Sequence, residues 1–425
     1  MKMFSKLYSP ISSKSLGIFR IIFGVLFLIH LLYYSKSAYF RHYFIDTTFH
    51  FKFQAFSFIE PLGEIPMLVL HYLTIIFAIL FLIGYFYRIA AIGLFLILTY
   101  FELIDVAYHN NHNYVIILFL LFFSISGANR SYSIDQRVKK LDQIIPIWNE
   151  WIFKFQIFIV YFFGGIAKIN SDWIDGSIMQ ELLSHSFPNT PVSYLSGYAH
   201  FSSIAGLGYD LLIVPLLLWK KTRWPALILV LIFNFSNAYL FSIGVFPFLM
   251  IGACLFFFTD KFSTSANSTP TKLKQRKIIN VFLLMFALFQ VLIPLRHYFI
   301  KGNVHWTGEG YFLAWQMKSF TKESQMEFML LDTTTKDQYV IPINDVLLPE
   351  QIKRMSYFPK LARQFALFLK EDAKRKNIYD VQVYTLFGTS LNGKPSKVVI
   401  DQDVDLTVVK ENQFGHSDWI NLLQQ

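Results

Sequence analysis

The stretch IVYFFGGIAKINSDWIDG, residues 159–176, carries an apolar, aromatic run up to Lys168 and sets Asp172 and Asp175 just beyond it. A lysine at the rim of so hydrophobic a segment either snorkels its ammonium to the interface or holds an amine whose proton affinity the site controls. Desolvation disfavours the charged form, and a neutral amine is a usable general base. A second polar cluster, ELIDVAYHNNHNY at 102–114, offers His109, Asn111 and His112. His112 in that position can hydrogen-bond a developing oxyanion while Asn111 fixes its orientation; the plainer reading of both histidines is a solvated or capping role. Arg20, inside an apolar run, either snorkels or is buried against a carboxylate such as Glu102 or Asp105. HNNH has its histidines at i, i+3 with no acidic partner in register, so no metal is expected, and there is no phosphate-binding glycine loop.

These residues need elements to position them, and the composition says which. Of 425 residues, 54% are hydrophobic, 47 are Phe, and only 16% are charged, against about a quarter in soluble domains. The mean hydropathy of +0.42 agrees. Apolar runs of spanning length recur through the first 300 residues, so the chain reads as a polytopic α-helical membrane bundle. Nine candidate helices fall at 15–34, 66–86, 89–107, 113–128, 152–168, 206–219, 224–240, 242–258 and 278–299. The basic-then-apolar N terminus resembles a signal peptide, but its long run and missing small-residue cleavage site make it the expected first, retained helix. Cys254 is the only cysteine, so neither an internal disulfide nor a cysteine metal cluster is expected.

The formal charge of +10 does not point to nucleic acid, because the basic residues gather on one side of the bundle. With the N terminus cytoplasmic, the cytoplasmic loops hold Arg88, Arg130, Arg137, Lys139, Lys140, Lys220, Lys221, Arg223 and the lysines and arginine of 261–277. Opposite fall the 35–65 loop, AYHNNHN and the 168–205 segment, which brings Lys168 and the His112 loop to one membrane face. From about 301 the pattern changes to α+β: SQMEFMLLDT and DQYVIPI alternate like a hairpin, a helix follows mainly from Pro359, and DVQVYTLFGTSLNGK and SKVVIDQDVDLTVV are further strands. The expected organisation is a membrane domain over 1–300 and a non-cytoplasmic α+β domain over 301–425. The stretch 263–272, STSANSTPTK, reads as a flexible link.

Five stretches resemble the vitamin K-dependent gamma-glutamyl carboxylases and their bacterial homologues, whose membrane part is the HTTM domain. They are GIFRIIFGVLF (17–27), NNHNY (110–114), FIVYFFGGIAKINSDWIDGSIM (158–179), FNFSNAYLFSIGVFPF (233–248) and LRHYFIKGNVHWTGEGYFLAWQMKS (295–319). They occur in the family's order and span most of the chain. The resemblance implies an enzyme that oxidises reduced vitamin K or menaquinone, a hydroquinone, with O2 to the epoxide. The strong base so generated takes a γ-proton from a protein glutamate, and the carbanion captures CO2. It also implies that Lys168, in Gly-x-x-Lys-x-x-x-Asp-Trp, is the base, with His112 its partner and Asn111 beside it. The physics is compatible: a phenol-like hydroxyl has a pKa of about 10, matched to an amine. Trp306, Tyr311, Trp315 and Met317 are the expected contacts to the glutamate-containing substrate. The lipid bilayer is the other expected partner. The family's bundle-to-lumen disulfide has no counterpart in a chain with one cysteine, and no propeptide-holding surface is found. Two rival readings stand beside this one: a quinol epoxidase or oxidase without carboxylation, and a non-enzymatic lipid-binding or transport protein. A transporter would be expected to show related halves, and none are seen.

Overall fold

Hydropathy and caps together set where each helix runs in the computed structural model, which describes residues 5–36, 39–241, 243–262 and 276–423. The expected link at 263–272 lies outside these residues. The main helices of the first part are α1 Lys14–Lys36, α2 Glu64–Ile83, α3 Tyr87–Ile104, α4 Asn111–Ile125, α5 Trp148–Ala167, α6 Ser177–Ser186, α7 Val192–Leu218, α8 Arg223–Phe241, α9 Phe246–Ala253 and α10 Lys277–Leu295. Among the described residues seven helices are long and apolar enough to cross a membrane, and Asn111–Ile125 and Phe246–Thr259 are shorter apolar helices. Each of the nine expected segments falls on one of these. The 206–219 segment is the least well drawn, because α7 begins at Val192. Its first turns are rich in serine and tyrosine, so hydropathy hides them. α6 was not expected at all; only 4 of its 10 residues are buried apolar ones, too short a stripe to stand out.

The bundle is glued by phenylalanine. Phe19 meets Phe119, Phe123, Phe153 and Phe256 with ring centroids 5.0–5.6 Å apart, mostly edge to face. Arg20 is fully buried but does not meet Glu102 or Asp105. It donates to the carbonyls of Ala128 and Tyr132 in the loop after α4, at the opposite end of the bundle from those two acids. The acids have partners of their own. Asp105 binds His50 at 3.2 Å and Gln351 at 2.8 Å, and Glu102 binds His109 at 2.5 Å.

The C-terminal part is a four-stranded antiparallel sheet in the order β2-β1-β3-β4, from β1 Lys322–Asp332, β2 Gln338–Ile341, β3 Val381–Leu391 and β4 Lys397–Ile400. The hairpin and the long strand β3 fall where the alternation puts them. SKVVIDQDVDLTVV is a strand only over its first residues. A register shift at Phe387/Gly388 disturbs the β3–β4 pairing, and Asp405 then caps the amides of Val383 and Thr407 instead of extending the ladder. Two helices, α11 Pro349–Tyr357 and α12 Lys360–Arg375, are separated by Pro359. Leu361, Phe365 and Leu369 of α12 are buried in the same core as Phe328, Val383 and Phe387 of the sheet.

That core continues into the bundle through Phe40, Phe44, Phe51 and Phe101. Polar contacts fix the junction. Gln364 exchanges two hydrogen bonds with the backbone of Lys52, Gln351 holds Phe49 O and Asp105, and Arg354 donates to His109 O. On the far side Lys394 and Asn392 grip Asp172 at 2.7 and 2.9 Å.

Candidate functional site

Lys168 caps the C-terminal end of α5, where Asn170 starts a new helical turn by accepting from the amide of Trp173. The lysine does not snorkel: it is 6% exposed. Its Nζ lies 2.6 Å from Asp210 Oδ2 on α7, 3.3 Å from Gly164 O and 5.2 Å from the centre of the Trp173 ring. Trp173 is in turn pinned by donating from Nε1 to Ser203 O, so one indole braces the pair against α7. Neither acid after the lysine reaches it. Asp172 belongs to the junction with the outer domain, and Asp175 caps the start of α6 through the Ser177 amide.

The two glycines of FFGGIAK let α7 come close. A Cβ on Gly165 would lie 2.7 Å from Leu211 Cδ2 and 3.2 Å from Asp210 Cβ, and one on Gly164 would lie 3.2 Å from Met317 Cε. Helix packing and site clearance are therefore the same requirement here.

Asn110 accepts from the Asn113 amide and starts α4, which puts Asn111 and His112 in its first turn. His112 packs against Phe246 with centroids 4.3 Å apart and the rings tilted by 46°, and neither of its ring nitrogens bonds a described residue. Asn111 donates to Gln316 O at 3.4 Å and makes no hydrogen bond to His112. The histidine is oriented by the phenyl ring and the helix end rather than by Asn111. His109 is neither solvated nor a cap: it is 3% exposed and paired with Glu102.

Lys168, Asp210, Asn111 and His112 all line one cavity of about 840 Å³. Its walls are mainly apolar, with Tyr209, Ile213, Phe233 and Phe246, and it reaches Phe201, Leu212 and Ile232 on the outer face of the bundle. Its other border is formed by Lys318, Lys353, Arg354 and Tyr357 near the outer domain. The site therefore offers an apolar slot continuous with a lipid-facing surface, a buried acid–base pair, and a free imidazole at a helix N-terminus, where negative charge is favoured.

Of the four residues expected to contact the substrate, Tyr311 and Met317 line the cavity. Trp306 and Trp315 do not line it and are buried, at 1% and 0% exposed. Trp306 donates to Asn421 O in the outer domain, and Trp315 stacks on Tyr114 at 5.1 Å. Sequence reasoning missed Asp210. It carries a signal, as the sole acid within α7, but 42 residues separate it from Lys168.

A polytopic membrane protein with this site at its outer face and an α+β domain over it belongs to a definite class. The chain matches the HTTM domain over residues 8–262 and the lumenal domain of vitamin K-dependent gamma-carboxylase over residues 275–425. It belongs to the vitamin K-dependent gamma-carboxylase family, and it is a multi-pass membrane protein with an extracytoplasmic C-terminal domain. The second match starts before α10, so it takes in the last membrane helix. No solved structure matches the chain with significance.

Proposed function

We propose that this protein is a membrane vitamin K-dependent gamma-glutamyl carboxylase, which couples oxygen-driven epoxidation of reduced vitamin K or menaquinone to carboxylation of a protein glutamate. The observation that carries the reading is the convergence of Lys168–Asp210 and His112 on one apolar cavity that runs to the lipid-facing surface. The residues fit a hydroquinone with an isoprenoid tail: flat aromatic walls for the ring, polar groups at one end, and an apolar path for the tail. Oxidation of that hydroquinone by O2 supplies the base strength that a glutamate γ-proton demands and no side chain has.

Lys168 and Asp210 act as one unit. Written as ammonium and carboxylate, or as amine and carboxylic acid, the pair carries the same protons and no net charge. Either way it ends as ammonium plus carboxylic acid after taking one more. In the form with the proton on Asp210, the Lys168 amine is the group matched to a phenolic hydroxyl of pKa about 10. His112, held by Phe246, has a free nitrogen to donate to an oxygen on which negative charge builds. Met317 and Tyr311 form the wall nearest the outer domain, where a glutamate side chain enters from water.

We place the N terminus in the cytoplasm, from the basic loops, and the domain boundary at 300/301. No nucleic acid or metal has a part in this reading. Purified protein in detergent, given reduced naphthoquinone, labelled bicarbonate and a glutamate peptide, is expected to form epoxide and labelled peptide. Epoxide without label would favour the epoxidase reading, and neither product would favour a non-enzymatic role.

A further inference from the structure

The cavity has more positive charge than its own chemistry uses. Lysines 168, 318 and 353 and Arg354 line it, against Asp210 and Glu350. Lys168 is matched by Asp210, and Arg354 is spent on the carbonyls of Ala107 and His109. Lys318 and Lys353 have no carboxylate within 4.0 Å among the described residues. Glu350, the remaining acid of the cavity lining, pairs with neither.

Lys318 is moreover held where it is. It has the left-handed backbone of a non-glycine residue, φ 52°, in a segment where Leu313 and Trp315 do the same at 62° and 57°. Such conformations are strained for a residue with a side chain and persist where the surroundings impose them. Its ammonium stands 5.0 Å from the centre of the Phe241 ring. The side chain is exposed by surface area because the cavity reaches it, yet protein encloses it on most sides. That enclosure, and then Lys353, press its pKa below the ordinary lysine value. Lys318 and His112 line the same cavity. Lys318 and Lys353 thus present two ammoniums to the cavity that no carboxylate of the described residues matches, and an anion entering there would meet both.

We propose that Lys318 and Lys353 form the carboxylate-binding site for the acceptor glutamate side chain. This rests on the carboxylase reading and assigns to it residues that the reading itself does not need. The chemistry asks for two cations at this place. When the γ C–H bond breaks, the proton goes to the base and the electron pair spreads into the carboxylate, giving an enediolate with two negative charges. Forming the new C–C bond to CO2 then leaves a side chain with two carboxylates. One ammonium matches the substrate, and two match the enediolate and the product.

The test is peptide binding, read by fluorescence anisotropy on full-length protein in nanodiscs of neutral lipid. A glutamate peptide, its glutamine counterpart and the Lys318→Gln/Lys353→Gln double variant are compared, with a Lys318→Arg/Lys353→Arg variant as rescue. Wild type should prefer the glutamate peptide. The double glutamine variant should lose affinity for it by on the order of tenfold to a hundredfold while binding the glutamine peptide as before, and the arginine variant should recover most of the loss. A thermal melt matching wild type shows that the variants are folded. If the folded glutamine variant keeps the glutamate preference, the lysine assignment is overturned and the carboxylase reading stands. If wild type binds neither peptide, the inference falls together with that reading. If, in a parallel set of nanodiscs containing anionic lipid, the two lysines hold that lipid and the glutamate peptide does not compete, the site is a headgroup site and the proposal is overturned.

Discussion

Lys168 could be picked out from its own short stretch, but its partner could not, and the difference is physical. A charge at the end of an apolar run is conspicuous locally, whereas Asp210 matters only because α7 packs on α5. The same limit applies to Arg20, whose nearest acids in the expected topology turn out to lie at the wrong end of the bundle. Removing one member of a buried pair strands the other, at a cost of about 3–5 kcal/mol. Asp210→Ala is therefore expected to lower the thermal midpoint sharply and to cut epoxide formation at least a hundredfold, checked by thermal melts and product analysis. A second residue-scale prediction concerns Lys322. Burial lowers its pKa to about 7, and its Nζ donates to Trp306 O and Tyr357 O. Between about 7 and the ordinary lysine value of 10.5 the unfolded chain binds the extra proton, so stability rises with pH across that window and is flat below it. Lys322→Met should remove that slope, as measured by melts from pH 6.5 to 9.5.

At the scale of elements, period and length located the bundle helices, the outer hairpin and the helix after Pro359. What failed was whatever depends on polar residues at helix ends. α7 starts before its apolar stretch does, and α6 lacks an apolar stripe long enough to see. The glycine pair illustrates why an element cannot be read alone. Gly165 is silent within α5 and decisive against α7, since a Cβ there would meet Leu211 at 2.7 Å. Gly165→Val should push α7 away, cost roughly 1–3 kcal/mol and lengthen the Lys168–Asp210 contact. The expected readout is a lower melting temperature with epoxidation reduced more than naphthoquinone binding.

The whole molecule is a greasy bundle whose outer end is sealed by an α+β domain, with the site at the seam. On the proposed function, that arrangement brings a lipid-soluble reductant and a water-soluble glutamate to one place without either leaving its own phase. The proposed topology has the N terminus facing the cytoplasm, so reporter fusions at residues 88 and 220 should report a cytoplasmic location and fusions near 50 and 190 the opposite. The account stands on the buried Lys168–Asp210 pair taking the hydroquinone proton. The direct measurement is the rate of epoxide formation from reduced naphthoquinone by Lys168→Ala protein, assayed well below the midpoint of its own thermal melt so that the variant is folded. A fall of at least a hundredfold is the predicted result. An unchanged rate in that variant would contradict the account at its centre.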